Sequence, residues 1–175
     1  MDEGFTIWIT GLPVKGKSDL SKALHKEILK RGLRAELLDD TILRKEYCQK
    51  MDDSTSDFDL SAEIFGYFSE ILNRNQIVSI VGAVSPSRSV REKIKDKIEN
   101  FIEIHLDTEA DSTLQVEKSS EVDLEIQIDT KTIEAACEEI ISLLEELTFI
   151  QPVSEDYTDE EKEEIDARLK SLGYM

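Results

Sequence analysis

Residues 11–18 combine the residue types and the spacing of a phosphate-binding loop. They read Gly-Leu-Pro-Val-Lys-Gly-Lys-Ser and fit the pattern G-x-x-x-x-G-K-[ST]. The glycines let the backbone curl, so that successive N–H groups point at phosphate oxygens. A helix that begins near Lys17 adds the positive end of its dipole. The Lys17 ammonium would neutralise the outer phosphates, and the Ser18 hydroxyl would ligate Mg²⁺. The predicted cofactors are therefore ATP and Mg²⁺.

The loop and the residue after it are the predicted nucleotide contacts. A match to this pattern also arises in ordinary strand–helix turns, and here the strand before it and the helix after it favour phosphate binding. Val14 stands where glycine is common, which predicts a stiffer loop. Lys15 either touches phosphate or points outward. The full set is Gly11, Leu12, Pro13, Val14, Lys15, Gly16, Lys17, Ser18 and Asp19.

Strands and helices alternate along the chain, which indicates a parallel sheet with right-handed crossovers. Residues 77–84 are almost all apolar, as expected for a central parallel strand covered on both faces. We predict an α/β fold of the P-loop NTPase type, a three-layer sandwich with about five parallel strands. The predicted strands are residues 5–10, 35–38, 77–84, 101–106 and 124–128. The predicted helices are residues 18–31, 61–75, 90–98 and 133–147, and residues 51–60 are a predicted loop.

The net charge of −18 is confined to the C-terminal part of the chain. Residues 1–98 contain 16 basic and 16 acidic residues, whereas residues 99–175 contain 5 basic and 23 acidic residues. Such a surface repels polyanions, so nucleic acid is not an expected partner. A solvated acidic face explains the charge. A salt-loving organism is the alternative, and the 14 lysines against 7 arginines do not favour it.

The chain divides into two predicted parts. Residues 1–148 form a P-loop kinase-like domain, and residues 149–175 form an acidic extension with a short helix. Thr158 and Glu161 fit a capping box at the start of that helix, and Gly173 fits its end. We expect this helix to be a docking element for a partner, and a homodimer is left open.

The sequence contains no pattern of a secreted, membrane or zinc-binding protein. Cys48 and Cys137 lack C-x-x-C spacing, so neither a zinc site nor a disulfide framework is expected. There is no signal-peptide pattern and no apolar stretch near the length of about 20 residues that spans a membrane. A cytoplasmic location is the expectation.

From residue 4 to residue 147 the chain resembles adenylylsulfate kinases. Residues 4–12 look like the family's opening strand, Leu37-Leu38-Asp39 sits where the family has its D-G-D motif, and Arg44 falls where the arginine after that motif belongs. Residues 84–88 (Val-Ser-Pro-Ser-Arg) look like the family's I-S-P-Y-R segment, and Asp129-Thr130 resembles its I-D-T. The phosphate loop alone also resembles that of 6-phosphofructo-2-kinases, but the rest of the chain does not follow that family.

The resemblance implies transfer of the ATP γ-phosphate to the ribose 3′-hydroxyl of adenylylsulfate, a step of sulfate activation, or to another small anionic acceptor. Asp39 is either the base, a Mg²⁺ ligand or a loop cap, and Asp40 is its partner or a solvated charge. Arg44 holds substrate or forms a surface ion pair. The resulting assignment has Lys17 and Asp39 as catalytic residues, Ser18 and Asp39 at the metal, and Arg44, Ser85, Pro86 and Arg88 at the substrate.

Three departures from the family concern the chemistry. The D-G-D motif reads Asp39-Asp40-Thr41, residues 57–66 hold none of the family's substrate arginines, and residues 107–121 are too short for its lysine-bearing lid. Because phosphoryl transfer rests on positioning and positive charge, these losses weaken the case for catalysis. The alternative function is a catalytically impaired relative that binds nucleotide and acts as a regulatory or assembly module.

Overall fold

The computed structural model describes residues 4–13, 16–109, 112, 114–152 and 167–171. Its five strands are β1 (Thr6–Gly11), β2 (Ala35–Asp39), β3 (Val78–Gly82), β4 (Phe101–Asp107) and β5 (Leu124–Gln127). They form one sheet in the order β2-β3-β1-β4-β5, and all four pairings are parallel. This confirms the predicted α/β fold with a parallel sheet of about five strands.

Helices cover both faces of this sheet. The α-helices are α1 (Lys17–Lys30), α2 (Asp40–Ile42), α3 (Thr55–Arg74), α4 (Arg88–Lys95) and α5 (Ile133–Glu146). A π-helical turn (Leu43–Tyr47) follows α2, a 3-10 turn (Ile128–Thr130) follows β5, and residues 167–171 are also helical.

Side-chain alternation along β1 separates the two apolar layers. Ile7 and Ile9 pack into a core cluster with residues of α1 and α5, whereas Trp8 packs with residues of α3 and α4 on the opposite face. The Trp8 ring stacks on Phe101, with 5.6 Å between ring centroids. The predicted three-layer sandwich is therefore present.

The strand predicted to be central, β3, is an interior strand but not the middle one. All five residues of β3 are buried, and β3 pairs with β2 on one side and β1 on the other. The middle position of the sheet belongs to β1, which carries the phosphate-binding loop at its carboxyl end.

The predicted loop over residues 51–60 is wrong in its second half, because α3 already begins at Thr55. Ser54 caps this helix, and its Oγ accepts a hydrogen bond from the Asp57 N–H at 3.3 Å. Polar residues that favour a helix cap were interpreted as a loop. Phe58 is consequently a buried helical residue, with 4% of its surface exposed.

The chain stays packed on the core beyond α5. The Phe149 ring lies 5.0 Å from the Phe5 ring, and Ile150 and Leu169 are buried in the same core cluster. The boundary at residue 148 stays a prediction. The helix signals at Thr158, Glu161 and Gly173 lie outside the described residues. Within the part of the chain that the structure describes, no helix is both long and apolar enough to cross a membrane.

Candidate functional site

The phosphate-binding loop leaves the carboxyl end of β1 and returns into α1. Gly11 has φ +138°, and a Cβ there would lie 2.5 Å from the Leu106 carbonyl oxygen. Gly16 has φ +119° directly before α1 begins. Both positions need glycine because L side chains rarely adopt these backbone angles. Val14 and Lys15 lie outside the described residues.

One cavity of about 700 Å³ joins the loop to the region after β2. Ligands of open α/β sheets bind at this carboxyl end of the strands. The loop side consists of Pro13, Gly16, Lys17, Ser18 and Asp19. The opposite side consists of Asp40, Thr41, Arg44, Lys45, Asp53 and Phe58, with Gly82 and Val84 between them. Among the predicted nucleotide contacts, Leu12 instead borders a smaller cavity of about 360 Å³ beside His105.

Lys17 is the buried cation of the cavity. Its Nζ donates to the Gly11 carbonyl oxygen at 2.8 Å and to that of Leu12 at 3.4 Å. Burial lowers the pKa of its ammonium to about 7, and the charges of Asp40 and Asp39 oppose that shift. The proton on Lys17 is therefore sensitive to any charge that enters the cavity.

We expect Mg·ATP binding to take up close to one proton at pH 8.5 and almost none at pH 6. Lys17 is mostly neutral above its pKa of about 7, and bound phosphates favour its charged form. At pH 6 the amine is already protonated before the nucleotide arrives. Calorimetric titrations in buffers of different ionisation enthalpy measure the proton count at each pH. Equal counts at both pH values would contradict this expectation.

Asp39 and Asp40 follow one another but differ in position. Asp39 caps α2, and its Oδ1 accepts from the backbone N–H groups of Thr41 at 2.8 Å and Ile42 at 3.2 Å. Asp39 does not line the cavity, whereas Asp40 does. Asp40 is buried rather than solvated, with 5% of its surface exposed. Burial raises the pKa of its carboxyl, against the Ser61 hydroxyl and the charges of Arg44 and Lys17.

Arg44 is held in place at the cavity wall. Its Nη2 donates to the Asp52 carbonyl oxygen at 2.5 Å and to Asp53 Oδ1 at 2.8 Å. Its guanidinium carbon lies 4.0 Å from the centroid of the Phe58 ring. The side chain is only 12% exposed, so Arg44 is not a freely solvated surface ion pair. Its position fits the predicted contact with a substrate anion, which stays a prediction.

The structure does not bring Ser85, Pro86 and Arg88 to this cavity. The fully buried Ser85 hydroxyl accepts from Trp8 Nε1 and donates to Thr10 Oγ1, both at 3.0 Å. Arg88 donates through Nε to Glu92 at 2.6 Å and through Nη2 to the Ser120 hydroxyl at 3.0 Å. The role of these three residues in substrate binding stays a prediction that their packing does not support.

Sequence reasoning missed a buried ion pair that fastens the connection between β4 and β5. Arg91 Nε donates to Glu103 Oε1 at 2.8 Å, and both side chains are at most 3% exposed. Arg91 also donates to the Glu117 carbonyl oxygen, and the Ser119 hydroxyl donates to Glu103 at 2.7 Å. A glutamate inside the apolar strand β4 is the signal that could have revealed the pair.

We expect Arg91→Leu to lower the free energy of unfolding by about 3–5 kcal/mol, because it leaves the Glu103 carboxylate buried without its partner. Urea unfolding followed by circular dichroism measures the change. The double variant Arg91→Leu/Glu103→Leu removes both charges and should recover most of the loss. A single variant as stable as the wild type would contradict the prediction.

The other end of the same connection is also tied down. The Thr108 hydroxyl and the Glu109 N–H both donate to Asp129 Oδ2 at 2.7 Å. The Glu117 N–H donates to the Pro86 carbonyl oxygen at 2.8 Å. Residues 107–121 are thus anchored at both ends, and their being too short for the family's lid stays a prediction.

Comparisons with known proteins agree with this architecture. A sequence model of the adenylylsulphate kinase family matches residues 3–120. The adenylyl-sulfate kinase of Microcystis aeruginosa is 36% identical over 101 residues, which cover 58% of this chain and 56% of that protein. The chain thus spans little more than half the length of this curated relative.

Solved structures lead to the same family. The hexameric APS kinase from Thiobacillus denitrificans has a TM-score of 0.74 at 26% identity. The match covers 86% of this chain and 30% of that chain. The Mycobacterium tuberculosis APS kinase in complex with AMPPNP and APS has a TM-score of 0.71 at 23% identity, covering 82% of this chain and 98% of that chain. This second likeness establishes the fold alone. Since the family model matches more than half of its residues, the chain belongs to the adenylylsulphate kinase family.

Proposed function

We propose that this chain transfers the γ-phosphate of Mg·ATP to a hydroxyl of adenylylsulfate or of another small anionic acceptor. One observation carries the proposal. Three buried polar atoms at or beside the cavity, Asp39 Oδ2, Asp40 Oδ1 and Arg44 Nη1, have no hydrogen-bond partner among the described residues. Buried atoms of this kind are rare in folded proteins and call for an explanation. The carboxylates could interact with a reacting hydroxyl, and the guanidinium could bind an anionic acceptor opposite the phosphate-binding loop.

The loop side of the cavity fits the triphosphate of the donor. Lys17 would place its charge on the outer phosphates, and the α1 N-terminus would add its dipole. Mg²⁺ would be held by the Ser18 hydroxyl, the phosphates and a carboxylate of the Asp39–Asp40 pair. Within the described ranges no cluster of three or more His, Cys, Asp and Glu residues forms a closed metal site. That fits Mg²⁺, which usually takes few protein ligands and arrives with phosphate.

The opposite side of the cavity fits the acceptor. Among the described residues, one Arg44 guanidinium nitrogen has no hydrogen-bond partner, Lys45 adds a second cation, and the Phe58 ring supports the Arg44 guanidinium. The Mycobacterium tuberculosis kinase, which has the same fold, was solved with a triphosphate analogue and APS together. That complex supports a nucleotide and adenylylsulfate as the two ligands proposed for this chain.

The second candidate is a relative that binds nucleotide and transfers phosphate poorly. It is favoured by the absence of arginine from residues 57–66 and by the β4–β5 connection that Arg91 holds down. In this case the bound nucleotide would serve regulation or assembly, and the acidic C-terminal extension would contact the partner.

One experiment separates the two candidates. ADP formation from Mg·ATP is measured with adenylylsulfate, nucleosides and sugars as acceptors, and Mg·ADP binding is measured by calorimetry. ADP formation that depends on an acceptor supports the kinase, whereas binding without turnover supports the second candidate. A protein that neither binds nor turns over nucleotide would refute both.

A further inference from the structure

We infer that the acceptor in the proposed transfer is a small hydroxy acid, a molecule with hydroxyl groups, a single carboxylate and no nucleobase. The inference rests on the proposed function and selects one class among its acceptors. Three features of the acceptor side of the cavity carry it. They are the single guanidinium nitrogen that Arg44 can still offer, the absence of net charge on this wall, and the covered face of the Phe58 ring.

Arg44 has one nitrogen available for an anion. Its Nη2 already donates to the Asp52 carbonyl oxygen and to Asp53 Oδ1. Its Nη1 is buried and has no hydrogen-bond partner among the described residues. A buried guanidinium N–H calls for an acceptor, and a carboxylate oxygen is a strong one because the bond is charge-assisted. Since Nη2 is engaged, Arg44 can add one such bond rather than the two-pronged contact with which arginine grips a phosphate.

The acceptor side of the cavity carries no net charge. Its lining contains Arg44 and Lys45 as cations and Asp40 and Asp53 as acids. One negative charge on the acceptor can lie against the two cations, whereas a second would face a carboxylate and be repelled. Residues 57–66, the segment in which the family has substrate arginines, supply no further cation of this type. An acceptor with one negative charge therefore fits this wall better than the doubly negative phosphosulfate group.

Among the described residues, the cavity offers no open aromatic face on which a base could stack. Phe58 is the aromatic residue in its lining. The Arg44 guanidinium carbon lies 4.0 Å from the centroid of the Phe58 ring, and the residue is only 4% exposed. Proteins commonly hold a nucleobase by stacking it on an aromatic ring, and here a cation–π contact occupies that face. The acceptor side is therefore suited to a molecule without a base.

The transfer balances for such an acceptor. One of its hydroxyl oxygens forms a bond to the γ-phosphorus while the bond from that phosphorus to the β,γ-bridging oxygen breaks. The bridging oxygen leaves with its electron pair as part of ADP, and the hydroxyl proton is released to solvent. The carboxylate of the acceptor takes no part in these bond changes. Its contact with Arg44 Nη1 holds the hydroxyl in position.

The test measures ADP formation from Mg·ATP with acceptors that are matched in length and differ in charge. Aldonic acids of three to six carbons carry one carboxylate, the alditols of the same lengths carry none, and the aldaric acids carry two. Adenylylsulfate and water are measured beside them. At least one aldonic acid should have a kcat/KM about tenfold or more above those of its alditol, its aldaric acid and adenylylsulfate, as expected for one charge-assisted hydrogen bond.

Variants separate recognition of the acceptor charge from a structural effect. Arg44→Gln should remove the preference for the aldonic acid over its alditol, while the affinity for Mg·ADP stays that of the wild type. Asp53→Asn removes an acid from the lining and should raise kcat/KM for the aldaric acid up to several-fold relative to the aldonic acid. Asp96→Asn, at an exposed position after α4, should leave both preferences unchanged.

Each outcome decides the matter. A wild-type protein that prefers adenylylsulfate, an alditol or an aldaric acid overturns the inference and leaves the proposed function standing. A preference for the aldonic acid that survives in Arg44→Gln overturns the inference in the same way. If no acceptor raises ADP formation above the rate with water, the proposed function fails and the inference fails with it.

Discussion

Phosphorylation of adenylylsulfate by this chain is expected to be at least about 10³-fold slower than by a relative with a mobile lid and the arginine-rich segment. A deficit of that size needs only about 4 kcal/mol of lost transition-state stabilisation. In related phosphoryl transfer, loss of one arginine finger lowers kcat by a factor of 10³–10⁵. The expected deficit is therefore smaller than the predicted loss of both features could produce.

The charges at the acceptor side explain the deficit. Arg44 donates to Asp52 and Asp53, and Asp53 itself lines the cavity. Residues 57–66 contain no arginine that could bind an anion. Asp57 and Asp59 in this segment accept hydrogen bonds from the Asp52 and Ser87 N–H groups and do not line the cavity. Repulsion of an anionic acceptor thus comes from Asp40 and Asp53.

The connection after β4 adds to the loss. It is tied to Asp129 at one end and to Arg91 at the other, and Lys118 is engaged with Glu125. It is therefore poorly placed to close over the cavity, exclude water and bring positive charge to the transferred phosphoryl group.

A coupled assay of ADP release with micromolar adenylylsulfate measures the rate. A turnover of several per second would show the argument wrong. Asp53→Asn provides a graded check, since it removes a carboxylate from the cavity lining and weakens the ion pair with Arg44, in which Asp53 is 93% exposed and the pair is therefore worth at most about 1 kcal/mol. It should raise kcat/KM for adenylylsulfate up to several-fold, and Asp96→Asn should not.

The loop side of the cavity could be predicted from sequence because its determinants are local. Gly11, Gly16, Lys17 and Ser18 lie within eight residues, and the strand and the helix on either side follow from short-range patterns. The order of strands and helices was predictable for the same reason. Apolar periodicity in each segment reports directly on which face is buried.

The remaining features depend on contacts between distant residues. Glu103 is buried in β4 because Arg91, 12 residues earlier, pairs with it. Asp40 faces the cavity because Asp39 caps α2, and position alone could not distinguish the two carboxylates. Arg88 follows a strand end, where ligands bind, yet Glu92 and Ser120 hold its side chain. The positions of these side chains depend on packing partners that are distant in sequence, and a pattern along the sequence does not identify those partners.

Replacement of Lys17 by Ala or Met is expected to weaken Mg·ATP and Mg·ADP binding at least about 10³-fold. The lost interactions are charge-assisted hydrogen bonds to phosphate, each worth about 1.5–3 kcal/mol. Two of them account for the predicted change, since every 1.4 kcal/mol is tenfold in affinity. Calorimetry with millimolar nucleotide measures the dissociation constants of Mg·ATP and Mg·ADP. Wild-type protein that releases no heat under these conditions would refute nucleotide binding itself.

Folding should not suffer from the same replacement. Burial lowers the pKa of Lys17 to about 7, which means that the folded protein tolerates the charge poorly. Lys17→Met keeps the volume and removes the charge, so its free energy of unfolding at pH 7 should equal or exceed that of the wild type. The cost of the change is the loss of two hydrogen bonds to the Gly11 and Leu12 carbonyl oxygens.

Urea unfolding measures the stability of Lys17→Met, and Lys22→Ala, at an exposed position of α1, is the control for nucleotide binding. Undiminished binding by Lys17→Met would mean that backbone N–H groups and the α1 dipole suffice, and would contradict the role assigned to Lys17. We expect the Lys17→Met variant to be fully stable and to lose nucleotide binding. Burial of the ammonium destabilises the fold, whereas its predicted contact with phosphate would stabilise the bound nucleotide.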